Sequence, residues 1–81
     1  MSIRNISEEY IIHQRMEIGR RLKEIREARG LSIKELADQS NIDRTTISKI
    51  EAGMWNFGIN ILIMYAKFLG FEIKFNLVEL A

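Results

Sequence analysis

One stretch, residues 32–53, constrains the fold of this chain more than any other part of it. Ser32 is followed three residues later by a glutamate, and this capping box predicts that a helix begins there. Asn41 tolerates the left-handed conformation of a tight turn, and Asp43 can cap a second helix. Gly53 follows the last apolar residues of that helix and predicts its end. The spacing therefore predicts two short helices joined by a tight turn.

The second of these helices has two chemically different faces. Ile47 and Ile50 lie three residues apart and predict its buried face. The other face carries hydroxyl groups and cations, with no carboxylate between Asp43 and Glu51. Such a face can donate hydrogen bonds to guanine, contact thymine methyl groups and bind phosphates from within a major groove. We therefore interpret it as a DNA-recognition helix, whose outward residues are Arg44, Thr45, Thr46, Ser48 and Lys49.

The composition of the 81-residue chain favours one small globular domain. Hydrophobic residues make up 47% of the chain, which is too much for disorder, and a core this small would gain stability from dimerisation. Cysteine is absent and His13 is the only histidine, so the sequence offers no set of metal ligands. No catalytic triad pattern or glycine-rich phosphate loop is present. We therefore predict no metal, no cofactor and no enzymatic activity.

Nothing in the sequence predicts export or a membrane span. The first ten residues lack the apolar run of a signal peptide, and Asn60 and Lys67 interrupt the most apolar stretch, residues 59–69. We therefore expect a cytoplasmic, nucleoid-associated protein. The net charge is only +1, so positive charge that attracts DNA must be local, and we expect moderate, salt-sensitive affinity.

The residues before the two short helices predict an arm and an amphipathic helix. Residues 1–16 are expected to form an arm that becomes helical, capped by Ser7, and that packs on the domain's own helices or on a second subunit or partner. The main domain is expected over residues 17–70. Gly19 predicts either a close helix contact or a break in its first helix. The buried stripe of that helix is expected to contain Ile18, Leu22 and Ile25.

The residues after position 53 predict a fourth helix and a strand. Trp55 and Phe57 are expected to cover the end of the recognition helix, and a binding anchor is the alternative for Trp55. The helix, residues 60–69, is apolar over so much of its circumference that we expect it to be buried on two sides. Strict alternation over residues 71–77 then predicts a strand in the segment 71–81, which has to pair with the same strand of a second copy; a frayed or helical tail is the alternative. The predicted dimer interface contains Tyr65, Phe68, Phe71, Ile73, Phe75 and Leu77.

Three segments carry a resemblance to a known family: IGRRLKEIREARGLS, IKELA and IDRTTISKIEAG. Through them, residues 18–69 resemble the lambda-repressor-like (Cro/CI, XRE) helix-turn-helix family. The resemblance implies a mainly α fold of four to five helices, of which the second and third bind DNA. It implies a structural salt bridge between Arg26 and Glu51. It places base-edge contacts at Arg44, Thr45 and Lys49, and base or backbone contacts at Thr46 and Ser48.

Two positions depart from the pattern of this family. Ile33 stands where the family often has a glutamine that donates to a phosphate, and Ala52 stands where a polar residue is often found. Lys34, Asn56 and the amide ends of the helices would then have to bind the phosphates.

The ending of the chain, a helix followed by a strand, resembles HipB-type antitoxin regulators, whose C-terminal strands pair and which hold a toxin. From both resemblances we expect a homodimeric, sequence-specific transcription regulator that represses by occupying a palindromic operator on double-stranded DNA. The sequence leaves open whether the protein also neutralises a toxin. The alternative function is a protein-interaction module that keeps the helix-turn-helix shape and binds a protein without reading DNA.

Overall fold

The computed structural model describes residues 7–54, 58–74 and 76–80, and within these ranges the chain is mainly α-helical, as predicted. The four helices of the described part are α1 (Glu8–Ala28), α2 (Ile33–Ser40), α3 (Arg44–Ala52) and α4 (Ile59–Phe68). Helix α1 packs against α3, and α2 packs against both α3 and α4. Our predictions for Trp55, Asn56, Phe57 and Phe75 lie outside the described residues.

Short-range signals determine where α2 and α3 begin and end, as the sequence predicted. The Ser32 hydroxyl accepts a hydrogen bond from the backbone N–H of Glu35 at 3.0 Å, and the Glu35 carboxylate accepts one from the backbone N–H of Ser32 at 3.0 Å. Asn41 ends α2 in the left-handed conformation, with φ 63°. Asp43 caps α3, and Gly53 ends it with φ 69°, a conformation that glycine adopts without steric cost.

Helix α1 is longer than predicted and continuous. It begins at Glu8, where the hydroxyl of Ser7 accepts a hydrogen bond from the N–H of Tyr10 at 3.1 Å, and it runs without a break through the boundary we placed between residues 16 and 17. Gly19 therefore marks a close contact and no break. Ile18, predicted to be buried, is 44% exposed, because it lines a groove that the described residues leave open to solvent.

The hydrophobic core is formed by α2, α3 and α4, with partly buried side chains of α1 packed against it, and Tyr65 belongs to it. We predicted Tyr65 at the dimer interface; the structure corrects this, since its side chain is 0% exposed. The reason is that the ring fills the core while the hydroxyl group reaches a buried carboxylate of α3. The buried apolar cluster consists of Leu36, Ile42, Ile47, Ile50, Tyr65 and Leu69.

The C-terminal segment forms no strand in residues 71–74 and 76–80, so the predicted β-strand is not confirmed. A strand is defined by hydrogen bonds to a neighbouring strand, and the described part of this single chain provides no such neighbour. The chain turns at Gly70, with φ 86°. Phe71 is 43% exposed and its ring lies 4.6 Å from the Arg29 guanidinium carbon, a cation–π contact.

Among the described residues, every helix is too short or too polar to span a lipid bilayer.

The capping box of α2 makes a pH-dependent contribution to the free energy of unfolding. The hydrogen bond from the N–H of Ser32 lowers the pKa of Glu35. A carboxyl group with a lowered pKa in the folded state stabilises the fold above its unfolded pKa of about 4.3, and this contribution is lost as pH falls through the folded pKa. We expect Glu35→Ala to lower the free energy of unfolding at pH 7, and this difference from wild type to shrink steadily below about pH 4.

Urea denaturation at several pH values measures this effect. Gln39→Ala, an exposed substitution in the same helix that removes no carboxylate, is the control. If Glu35→Ala lowers the free energy of unfolding by the same amount at every pH, the prediction is contradicted.

Candidate nucleic-acid interface

Helix α3 presents the polar face that the sequence predicted. Ile47 and Ile50 are each 0% exposed, so α3 is held to the core by one side only. Thr46 is half-buried, which makes it the least accessible of the five predicted DNA-facing residues. The four that are exposed to solvent are Arg44, Thr45, Ser48 and Lys49.

The start of α2 lies beside this face. Ile33 and Lys34 line one surface depression together with the four exposed residues of α3. The Lys34 ammonium lies 3.3 Å from the carboxylate of Asp38, but both side chains are highly exposed, and such pairs contribute little free energy. Lys34 can therefore exchange this partner for a phosphate. The depression gathers three cations, from Lys34, Arg44 and Lys49, and no carboxylate lines it.

A buried ion pair connects α3 to α1, at the residues the family resemblance indicated. The Arg26 guanidinium donates to the Glu51 carboxylate through Nε at 2.6 Å and through Nη2 at 2.9 Å. Both side chains are nearly inaccessible, with exposures of 6% and 5%. The third guanidinium nitrogen, Nη1, donates to the carbonyl of Leu31 at 2.6 Å, which ties the α1–α2 connection into the same site. This bidentate geometry is specific to arginine and carboxylate.

Tyr65 completes this ion pair, a role that the sequence analysis missed. Its hydroxyl group donates to Oε2 of Glu51, so one carboxylate links α1, α3 and α4. Burial raises the pKa of the Tyr65 hydroxyl, and the hydrogen bonds to Glu51 raise the pKa of Arg26. Tyr65 therefore stays protonated and Arg26 stays charged across the physiological range. A tyrosine fourteen residues after a buried glutamate carries no local sequence signal that reveals this contact.

Two glycines bring the backbones of α1 and α3 into direct contact. A Cβ atom added at Gly19 would lie 2.5 Å from the carbonyl oxygen of Glu51, and one added at Gly53 would lie 2.5 Å from the Cα atom of Met16. Real Cβ atoms do not approach other atoms this closely. Only glycine fits at both positions, and α1 therefore lies against the C-terminal half of α3. The N-terminal half, which begins at Arg44, carries two of the three predicted base-reading residues, Arg44 and Thr45, and Lys49 follows in the next turn.

Comparisons with known proteins agree with this geometry. A helix-turn-helix family model matches residues 22–75, which is more than half of the chain. The chain belongs to the lambda-repressor-like (Cro/CI, XRE) helix-turn-helix family. No curated protein matches the sequence.

Two solved structures of regulators are similar to this helix-turn-helix chain. The restriction-modification controller protein C.AhdI from Aeromonas hydrophila is 33% identical, with a TM-score of 0.71; the match covers 74% of this chain and 91% of that chain. The clp gene regulator ClgR from C. glutamicum is 25% identical, with a TM-score of 0.69; the match covers 73% of this chain and 76% of that chain.

The buried ion pair generates a thermodynamic prediction. Replacing either Arg26 or Glu51 with Met leaves one charge buried and unpaired, and we expect each single change to cost about 3–5 kcal/mol of unfolding free energy. The double replacement removes both charges, so it is expected to cost much less than the sum of the two single changes. Chemical denaturation of the four proteins measures this coupling. Additive costs would contradict a direct interaction between the two side chains.

Proposed function

We propose that this protein is a sequence-specific DNA-binding transcription regulator that reads bases with α3. One observation carries the proposal: α3 is buried along Ile47 and Ile50 and exposes a face of cations and hydroxyl groups, next to the cationic start of α2. Arginine recognises guanine through two hydrogen bonds, and threonine can contact thymine methyl groups. In this arrangement Arg44, Thr45 and Lys49 contact base edges, while Ser48 and Lys34 contact bases or phosphates.

The similarity to C.AhdI and ClgR supports a regulatory role. Both are regulators by description, one a restriction-modification controller and the other a clp gene regulator. The present chain has the same fold over most of its length. The exposed face of α3, with its cations and hydroxyl groups, is the surface that we propose binds DNA. A repressor needs no chemistry, since occupying a promoter is enough to exclude the transcription machinery. We therefore propose that the protein represses by occupancy.

We propose further that it acts as a homodimer. Helix α4 leaves large apolar side chains accessible on the surface of the single chain, with Ile59 54% exposed, Ile63 50% and Phe68 43%. Exposed apolar groups on one element are typical of an interface. A two-fold dimer would place its two α3 helices in successive major grooves, about one helical turn apart, and would bind a palindromic site.

An antitoxin role would need a protein partner in addition, and co-purification with the product of an adjacent reading frame tests for one.

Substitutions on α3 test the proposal. Sequences selected from random DNA by the wild-type protein are expected to contain palindromic half-sites about 10 base pairs apart. On such a site, Arg44→Ala should cost about 1–3 kcal/mol of binding free energy and relax the preference at one base position. Lys49→Ala should weaken binding by a similar amount. Fluorescence anisotropy at fixed salt measures both affinities.

Lys23→Ala provides the matched control, because it removes the same charge from an exposed position on α1, outside the depression beside α3 and outside the proposed dimer contacts on α4. We expect its affinity for the selected site to equal that of the wild type. If no sequence is enriched from random DNA even at low salt, base reading is wrong. If both α3 variants bind DNA normally while binding to a protein partner is lost, the interaction-module alternative is correct.

A further inference from the structure

An open apolar groove runs along the side of α1 that faces α4. Its floor is formed by apolar residues of α1, of α4 and of the C-terminal segment, and its volume of about 530 Å³ lies within the range of clefts that bury drug-sized ligands. Within the described part of the chain the groove remains open to solvent, and Ile18 at its edge is 44% exposed. The floor residues are Ile18, Leu22, Ile25, Leu62 and Ile73.

A short segment of the same chain, residues 76–80, exposes apolar side chains of the kind that can pack into such a groove. Leu77 is 91% exposed, Val78 77% and Leu80 78%. Burial of apolar side chains stabilises a protein, and Val78 and Leu80, which lie two residues apart, leave this contribution unused. The chain's own segment therefore does not fill its own groove.

We propose that residues 76–80 of one protomer dock in the α1–α4 groove of a second copy, and that the exchange is reciprocal. This inference rests on the homodimer proposed above and adds a second set of contacts to the exposed α4 side chains named there. An interface around a two-fold axis is self-complementary, so a chain that carries both a groove and a segment that fits it forms the contact twice in one dimer.

The charges at the rim of the groove match this occupant. In an extended chain alternate side chains share a side, so Val78 and Leu80 enter the groove together and Glu79 points toward the rim. The cations at the rim are Arg21 and Lys74. Their nearest carboxylates, on Glu24 at 3.4 Å and on Glu72 at 3.5 Å, belong to exposed pairs that contribute little.

The one carboxylate at the rim does not reverse this complementarity. Glu17 also lines the groove, and its pair with Arg20 is exposed like the other two, so its charge is counted in the same way. The rim then carries two cations against one carboxylate, and its net charge is opposite to that of Glu79. A segment with a lysine in place of Glu79 would meet like charges there.

Charge reversal tests the exchange directly. Arg21→Glu and Glu79→Arg are each expected to weaken dimerisation roughly tenfold or more. The reason is that a two-fold dimer contains the contact between Arg21 and Glu79 twice, so one substitution removes two attractions and introduces two repulsions. The double variant should recover dimerisation. Mixing the two single variants should yield heterodimers, since the reversed groove then receives the reversed segment and the unchanged groove receives the unchanged segment. Sedimentation velocity and native mass spectrometry measure these populations.

Lys23→Glu is the matched control, because it reverses a charge of α1 outside the lining of this groove, and we expect it to dimerise like the wild type. Circular dichroism confirms that each variant is folded. The inference is overturned if Arg21→Glu dimerises normally, as strand pairing alone would allow, if the mixture gives no heterodimers, or if the wild type is monomeric. Its failure is distinct from failure of the DNA-binding proposal, because a dimer held by other contacts still selects a palindromic site.

Discussion

The buried ion pair between Arg26 and Glu51 is the interaction on which the rest of the structure depends. It places two opposite charges in the core of a small domain, where either one alone would be strongly destabilising. The cost is offset by hydrogen bonds from the guanidinium group to Leu31 and from the hydroxyl group of Tyr65 to the carboxylate. Because the partners come from different elements, the pair is satisfied only when α1, α3 and α4 are all in place.

This dependence explains how so short a helix as α3 is presented with a defined orientation. A nine-residue helix is not stable by itself in water, and its position has to come from packing. The two close glycine contacts hold its C-terminal half against α1, while Ile47 and Ile50 anchor its inner side. The helix is therefore already ordered before it binds DNA, and binding does not include the entropic cost of ordering it, which is the general benefit of a preorganised site.

Features that depend on residues close in sequence could be predicted, and features that depend on distant contacts could not. The caps at Ser32 and Asp43 and the turn at Asn41 were correct, because each acts through hydrogen bonds or backbone conformation within a few residues. The dimer-interface assignment of Tyr65 was wrong, because a helix that is apolar on most sides does not reveal which side meets the core. The strand was inferred from alternation alone, and the structure describes residues 71–74 and 76–80 without one.

The amino-acid sequence by itself determined the two short helices, the turn between them and the chemistry of the face around Arg44 and Lys49, because capping, periodicity and side-chain type are local properties. Only the tertiary structure decided which surfaces remain exposed. The continuous α1, the role of Tyr65 and the open groove beside Ile18 all follow from how the helices pack, and packing depends on groups far apart in the chain.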